Sequence, residues 1–142
     1  MNRSIEDVKC INFNVFTDNN IGWQWGSLVP INLNEDIPFE VNRIFYVYYV
    51  GDVQQRGQHA HYKNEQILIC LNGKCGVVCK DGINEKNYVL DSPSMGLYIP
   101  EMIWDEQFYY TKDTVLLVLC SMKYDREDYI EDWNEYVARN TR

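Results

Sequence analysis

His59 and His61 stand two residues apart and are the only two histidines of this 142-residue chain. In an extended strand, residues i and i+2 share a face, so both imidazoles would project to the same side. Arg56 lies just upstream across Gly57, and Glu65 lies two further strand steps beyond His61. A base that titrates near neutral pH, a fixed cation and a carboxylate are thereby gathered in one short stretch. Two chemistries follow from these residue types. One is proton transfer at a carbon made acidic by a neighbouring carbonyl. The other is metal ligation, in which His59, His61, Glu65 and Asp105 would offer nitrogen and oxygen donors suited to iron or manganese.

Composition narrows the partners. The net charge of −8 argues against a nucleic-acid-binding surface, which needs a basic patch or stripe. An anionic small ligand would need local cations, and Arg43, Arg56 and Lys63 are the candidates. Aromatic residues make up 14% of the chain, including eleven tyrosines and four tryptophans. Such residues suit strands, subunit interfaces and stacking against rings. Four of the five cysteines fall inside apolar or strand-like runs, which reads as small buried hydrophobes in a reducing compartment. The first ten residues hold no apolar signal segment and no run is long enough to span a membrane. A soluble cytoplasmic protein is the expectation, with no nucleic-acid or membrane partner.

The elements that must position these residues are short strands. Residues 8–16 partly alternate and predict an opening strand; 43–50 are dense in β-branched and aromatic residues; 66–71 form another apolar run. Asn72-Gly73 and Asp81-Gly82 read as tight hairpin turns. Further short strands follow at 88–90, 97–99, 107–110 and 115–120. Tyr129, Trp133, Tyr136 and Val137 recur at helical spacing behind Asp125 and Asp128, predicting one amphipathic helix near 126–139. The fold class is therefore all-β with a C-terminal α-helix, one domain over residues 1–142. A jelly roll with the His-x-His strand facing its interior is the natural form.

His59-x-His61-x-x-x-Glu65 resembles the first cupin motif. The match is closer to the dTDP-sugar 3,4-ketoisomerases among the cupins. It is carried by Ile37-Pro38-Phe39, Arg43-Ile44-Phe45-Tyr46, Arg56-Gly57-Gln58-His59-Ala60-His61, and Glu65 through Gly73. Leu90 to Pro93, Gly96 to Pro100, Trp104, and the tail Tyr124 to Ile130 extend the likeness over about residues 10 to 137. The resemblance implies a cupin jelly roll (double-stranded β-helix), and a homodimer with an N-terminal strand exchanged between subunits. It implies dTDP-4-keto-6-deoxyglucose as substrate, no metal and no cofactor. The carbonyl would move from C4 to C3 through an enediol, feeding synthesis of a 3-amino-3,6-dideoxyhexose for a bacterial surface polysaccharide such as O-antigen. A third histidine, usual in metal-binding cupins, is missing from this chain.

On this resemblance His59 matches the catalytic histidine, and His61 is a second shuttle or hydrogen-bond partner. Arg56 and Arg43 would bind substrate, together with Trp25, Tyr46 and Asp105. Three positions depart from the family pattern. Phe45 stands where many relatives carry the first of two tyrosines; Trp25 replaces Arg or Tyr; Asp105 replaces His or Arg. The last two positions distinguish relatives making galacto and gluco products, and this chain matches neither. Two alternatives stay open: an epimerase acting on the same nucleotide sugar, and a non-catalytic nucleotide-sugar-binding cupin.

Overall fold

A computed structural model describes residues 2–17, 26–51 and 55–140. Along the chain the strands are β1 (Lys9–Asn12), β2 (Phe16–Thr17), β3 (Ser27–Leu28), β4 (Arg43–Val47), β5 (Gln55–His61) and β6 (Gln66–Asn72). Then come β7 (Cys75–Lys80), β8 (Glu85–Leu90), β9 (Met95–Ile99), β10 (Trp104–Tyr109), β11 (Val115–Cys120), β12 (Tyr129–Ile130) and the helix α1 (Trp133–Asn140). Two five-stranded sheets form, in the orders β1-β9-β6-β11-β4 and β12-β5-β10-β7-β8; β2 and β3 pair as a separate ribbon. Every pairing in both sheets is antiparallel. This is the expected all-β jelly-roll layout with a terminal helix.

The two sheets face each other over one apolar layer that includes Leu68, Cys70, Cys75, Val77, Cys79, Leu97, Leu116 and Val118. The first sheet is also covered on its outer side, where Phe13, Ile37 and Phe39 pack on Ile67, Ile69 and Leu119. Burial on both faces explains why β6 reads as an unbroken apolar run rather than an alternating one. The four core cysteines are free and buried, as their apolar neighbours suggested, while Cys10 is exposed. Burial pushes the Cys75 thiol up to about 12, which makes it a packing group rather than a nucleophile.

Two expectations are corrected. Asn72-Gly73 does not close a hairpin. β6 pairs with β9 and β11, β7 pairs with β8 and β10, and the turn carries the chain from one sheet to the other. Asp81-Gly82 does turn a hairpin, between β7 and β8. The second correction concerns the C-terminal helix, which starts at Trp133, not near 126. Arg126–Asp128 forms a single 3-10 turn capped by Asp125, and the backbone of Tyr129 and Ile130 is committed to pairing with His61 and Ala60. The helix restarts only after Asp132, whose Oδ1 accepts the Glu135 N–H at 2.8 Å. Among the described residues no helix is long and apolar enough to cross a membrane.

Candidate active site

β5 and β10 build the floor of the site. Their register is Asp105 opposite His59, Glu106 opposite Gly57 and Gln107 opposite Arg56. Gln58 is therefore an extra residue, a β-bulge. Gly57 and Gln58 both adopt positive φ, 83° and 64°. Strict alternation would send Arg56 to the face opposite His59, since they are three residues apart. The bulge removes one step and brings Arg56, His59 and His61 to the inner face. A side chain at position 57 would press on the Asp105 carbonyl at 3.0 Å and its Oδ1 at 3.1 Å, so glycine is required there by contact as well as by backbone angle.

The resulting cavity, about 620 Å³, opens between the two sheets. Arg43, Phe45, Val47 and Gln66 line it from the first sheet; Arg56, Gly57, Gln58, His59 and Gln107 line it from the second; Tyr129 and Glu131 close one side. Arg43 lies over the Phe45 ring at 5.4 Å and over the Tyr124 ring at 5.8 Å. The stacked guanidinium is thus held at the cavity wall. Two arginines and three side-chain amides give fixed charge and donors for a polar, anionic ligand.

His59 sits at the cavity surface. Its ring lies 4.9 Å from the His61 ring and 5.0 Å from the Tyr129 ring. His61 is behind it and buried, with Nδ1 at 3.2 Å from Asp128 Oδ2. Burial lowers the His61 pKa to about 3, and the charges of His59 and Arg43 act in the same direction. The contact to Asp128 is therefore a neutral imidazole N–H donating to a carboxylate, not a full ion pair. Asp105, 1% exposed, lies beneath His59 and accepts the Gln107 amide at 3.0 Å. Gln107 in turn accepts the Tyr109 hydroxyl at 3.1 Å. Desolvation raises the Asp105 pKa, against the opposing effects of His59 and Gln107.

Of the residues singled out in the sequence, His59, Arg56 and Arg43 meet at the cavity, with His61 and Asp105 directly behind His59. Tyr46 is not brought to this cavity: alternation along β4 turns Phe45 inward and Tyr46 outward, where it is 65% exposed and adjoins Tyr48. Trp25 lies outside the described residues. The possible metal set does not assemble, because Glu65 is drawn to the first sheet, where its carboxylate accepts the Tyr98 hydroxyl. Among the described residues no other group of three histidine, cysteine or carboxylate side chains converges on a metal-sized centre.

Sequence reading passed over Gln66, Gln107, Tyr129 and Asp128. Alternation through β10 from Asp105 would have found Gln107. Asp128 and Tyr129 were hidden by the helical spacing of the tail.

A family model described as "FdtA: WxcM-like, C-terminal" matches residues 6–141. A TDP-4-oxo-6-deoxy-alpha-D-glucose-3,4-oxoisomerase from Aneurinibacillus thermoaerophilus is 40% identical over 134 residues, covering 92% of this chain and 93% of the relative. The crystal structure of a histidine-to-asparagine variant of the 3,4-ketoisomerase QdtA from Thermoanaerobacterium thermosaccharolyticum superposes with a TM-score of 0.89. That protein is 38% identical, with 96% of each chain covered, and it holds TDP-4-keto-6-deoxyglucose. An rmlC epimerase from Mycobacterium tuberculosis, 14% identical, shares the fold with a TM-score of 0.72 over 89% of this chain and 69% of that one.

Proposed function

Because this chain belongs to the FdtA, WxcM-like family of TDP-sugar 3,4-ketoisomerases, we propose that it is an isomerase moving the carbonyl of TDP-4-keto-6-deoxyglucose from C4 to C3. The single observation that carries the reading is His59 at the surface of a cavity flanked by Arg43 and Arg56. That arrangement offers an imidazole base beside fixed positive charge for a diphosphate sugar.

The chemistry requires breaking the C3–H bond, which is acidified by the C4 carbonyl. His59 takes that proton. The electron pair forms the C3–C4 double bond, and the former carbonyl oxygen becomes an enolate oxygen that must be neutralised. Gln107, Arg56 and Tyr129 border the same cavity and are the donors assigned to it. Phe45 has no proton to give; the tyrosine on the opposite wall is Tyr129. Tyr129 gives its hydroxyl proton to that oxygen, and an enediol joins C3 and C4. Tyr129 then takes back the proton of the C3 oxygen as His59 returns a proton to C4, which leaves the ketone at C3. His59 gains one proton and returns one, so no net charge remains. Arg43 is assigned to the ligand's anionic part, and Asp105 to holding Gln107 in place.

Incubation with TDP-4-keto-6-deoxyglucose in deuterated water, with NMR of the fresh product, tests this. The expected product has its ketone at C3, with deuterium at C4 to the extent that the proton held on His59 exchanges with solvent. Label at C3 or C5 with the ketone still at C4 would instead mean epimerisation. Binding without any change in the sugar would mean a sensor. The product's 3-keto group suits a following amino transfer, consistent with a place in 3-amino-3,6-dideoxyhexose synthesis.

A further inference from the structure

The mechanism above uses His59 and leaves the assembly behind it unassigned. Asp128 closes the 3-10 turn Arg126–Asp128 and is 7% exposed. Its Oδ1 accepts the Lys63 N–H at 2.8 Å, and its Oδ2 accepts the Asn64 N–H at 3.1 Å while facing His61 Nδ1 at 3.2 Å. His61 is 5% exposed, and its Nε2 has no hydrogen-bond partner. Buried polar atoms without partners are rare and costly.

The surroundings of the ring define its protonation. His59 adjoins it on its own strand, the Tyr129 ring lies 4.5 Å away on β12, and the Arg43 charge acts on it from β4. Asp128 is the hydrogen-bond partner of its ring nitrogen. An ionised carboxylate accepts and does not donate, so Nδ1 carries the hydrogen. A neutral imidazole with its hydrogen at Nδ1 has a bare lone pair at Nε2.

We propose that Asp128 is a positioning residue for the isomerisation: it fixes His61 in the Nδ1–H tautomer, keeping Nε2 as an acceptor beside His59. When His59 has taken the proton from carbon it has two N–H donors. One returns its proton to C4. The other donates to His61 Nε2, which satisfies that atom and stabilises the imidazolium. No net proton leaves the pair over the cycle. This inference rests on His59 being the base.

Nitrogen-15 NMR of the unmodified protein reads the tautomer directly. His61 should show a protonated Nδ1 and a bare Nε2 through the neutral range. A protonated Nε2, or a doubly protonated ring, overturns the proposal without touching the role of His59. In Asp128→Asn the amide N–H₂ takes the place of the accepting oxygen, and the His61 signals should switch to the Nε2–H form. Turnover should then fall on the order of 10- to 100-fold, below the 10²–10⁴ that a positioned base contributes, with KM little changed.

If Asp128 acts through His61, the Asp128→Asn change should add no further loss in a His61→Gln background. Unchanged kcat in Asp128→Asn, or simply additive losses, would refute it. If Asp128→Asn fails to fold, the unmodified protein's spectrum and the kcat of His61→Gln decide, full activity in the latter being fatal. Should His59→Asn keep its turnover, the base assignment itself fails, whatever tautomer His61 shows.

Discussion

At the scale of residues, position relative to the cavity separates the two histidines. His59 lines the cavity and His61 does not. His59→Asn should lower kcat by roughly 10²–10⁴, the usual contribution of a positioned base. TDP affinity, measured by calorimetry, should stay within a few-fold. Equal turnover would mean that another group takes the proton.

His61 makes its own prediction, in stability. Its folded pKa of about 3 lies below the ordinary 6.5, so between these values the unfolded chain binds more protons than the folded one. Stability therefore rises with pH across that window and falls on acidification. By about pH 5 the loss should be of order 2 kcal/mol, at 1.36 kcal/mol per unit. Asp105 and Asp128, raised by burial, slope the opposite way above their unfolded value. The difference between the protein and His61→Gln isolates the histidine. Denaturant midpoints at several pH values should show the variant losing less on acidification; parallel curves would mean that His61 is charged in the fold. The two histidines and two arginines were legible in the sequence because their residue types are rare and their spacing is short. Their division into surface and buried members was not, since it depends on Asp128 arriving from 67 residues away.

At the scale of elements, the bulge at Gly57-Gln58 decides whether the site exists. Gly57→Ala combines a φ of 83° with contacts of 3.0 Å and 3.1 Å to Asp105. The neighbour there is backbone as well as side chain, so it cannot simply swing aside. The expected cost is about 1–3 kcal/mol in unfolding free energy, seen as a lower denaturant midpoint. Activity should drop more than stability implies, because relaxing the bulge turns Arg56 away from His59. A variant that keeps full activity would show that the bulge does not hold the pair together. The strands themselves were legible from alternation and from runs of β-branched residues. The bulge was not, because a glycine before a histidine is compatible with regular extended backbone. The same limit misplaced the turn at Asn72-Gly73: a local turn signal does not say which sheet the next strand will join. The tail followed helical spacing from Tyr129, yet its first two residues found better partners in β5.

At the scale of the whole molecule, the sandwich leaves apolar surface uncovered. Phe16 and Leu28, opposite each other in the β2–β3 ribbon, are each 61% exposed. β4 is an edge strand; Ile44 and Tyr46 on it, and Tyr48 and Tyr49 just after it, are also exposed. A two-stranded ribbon is marginal alone, and contiguous exposed apolar surface marks an interaction site. A second copy of the chain is the proposed cover, in line with the homodimer that the family resemblance implies. Each large apolar side chain buried there would contribute roughly 1.5–3 kcal/mol, whereas a carboxylate in its place would be desolvated without a partner. The protein should therefore sediment as a dimer at micromolar concentration, and the double variant Phe16→Asp, Leu28→Asp should sediment as a monomer. The variant's unfolding temperature should depend less on protein concentration, as expected when association no longer contributes to stability. Its cavity should still bind TDP, because Arg43, Arg56 and His59 come from strands of the two main sheets. A monomeric parent protein would overturn the assembly. A monomeric variant that no longer binds TDP would show that the cavity borrows part of its wall from the partner.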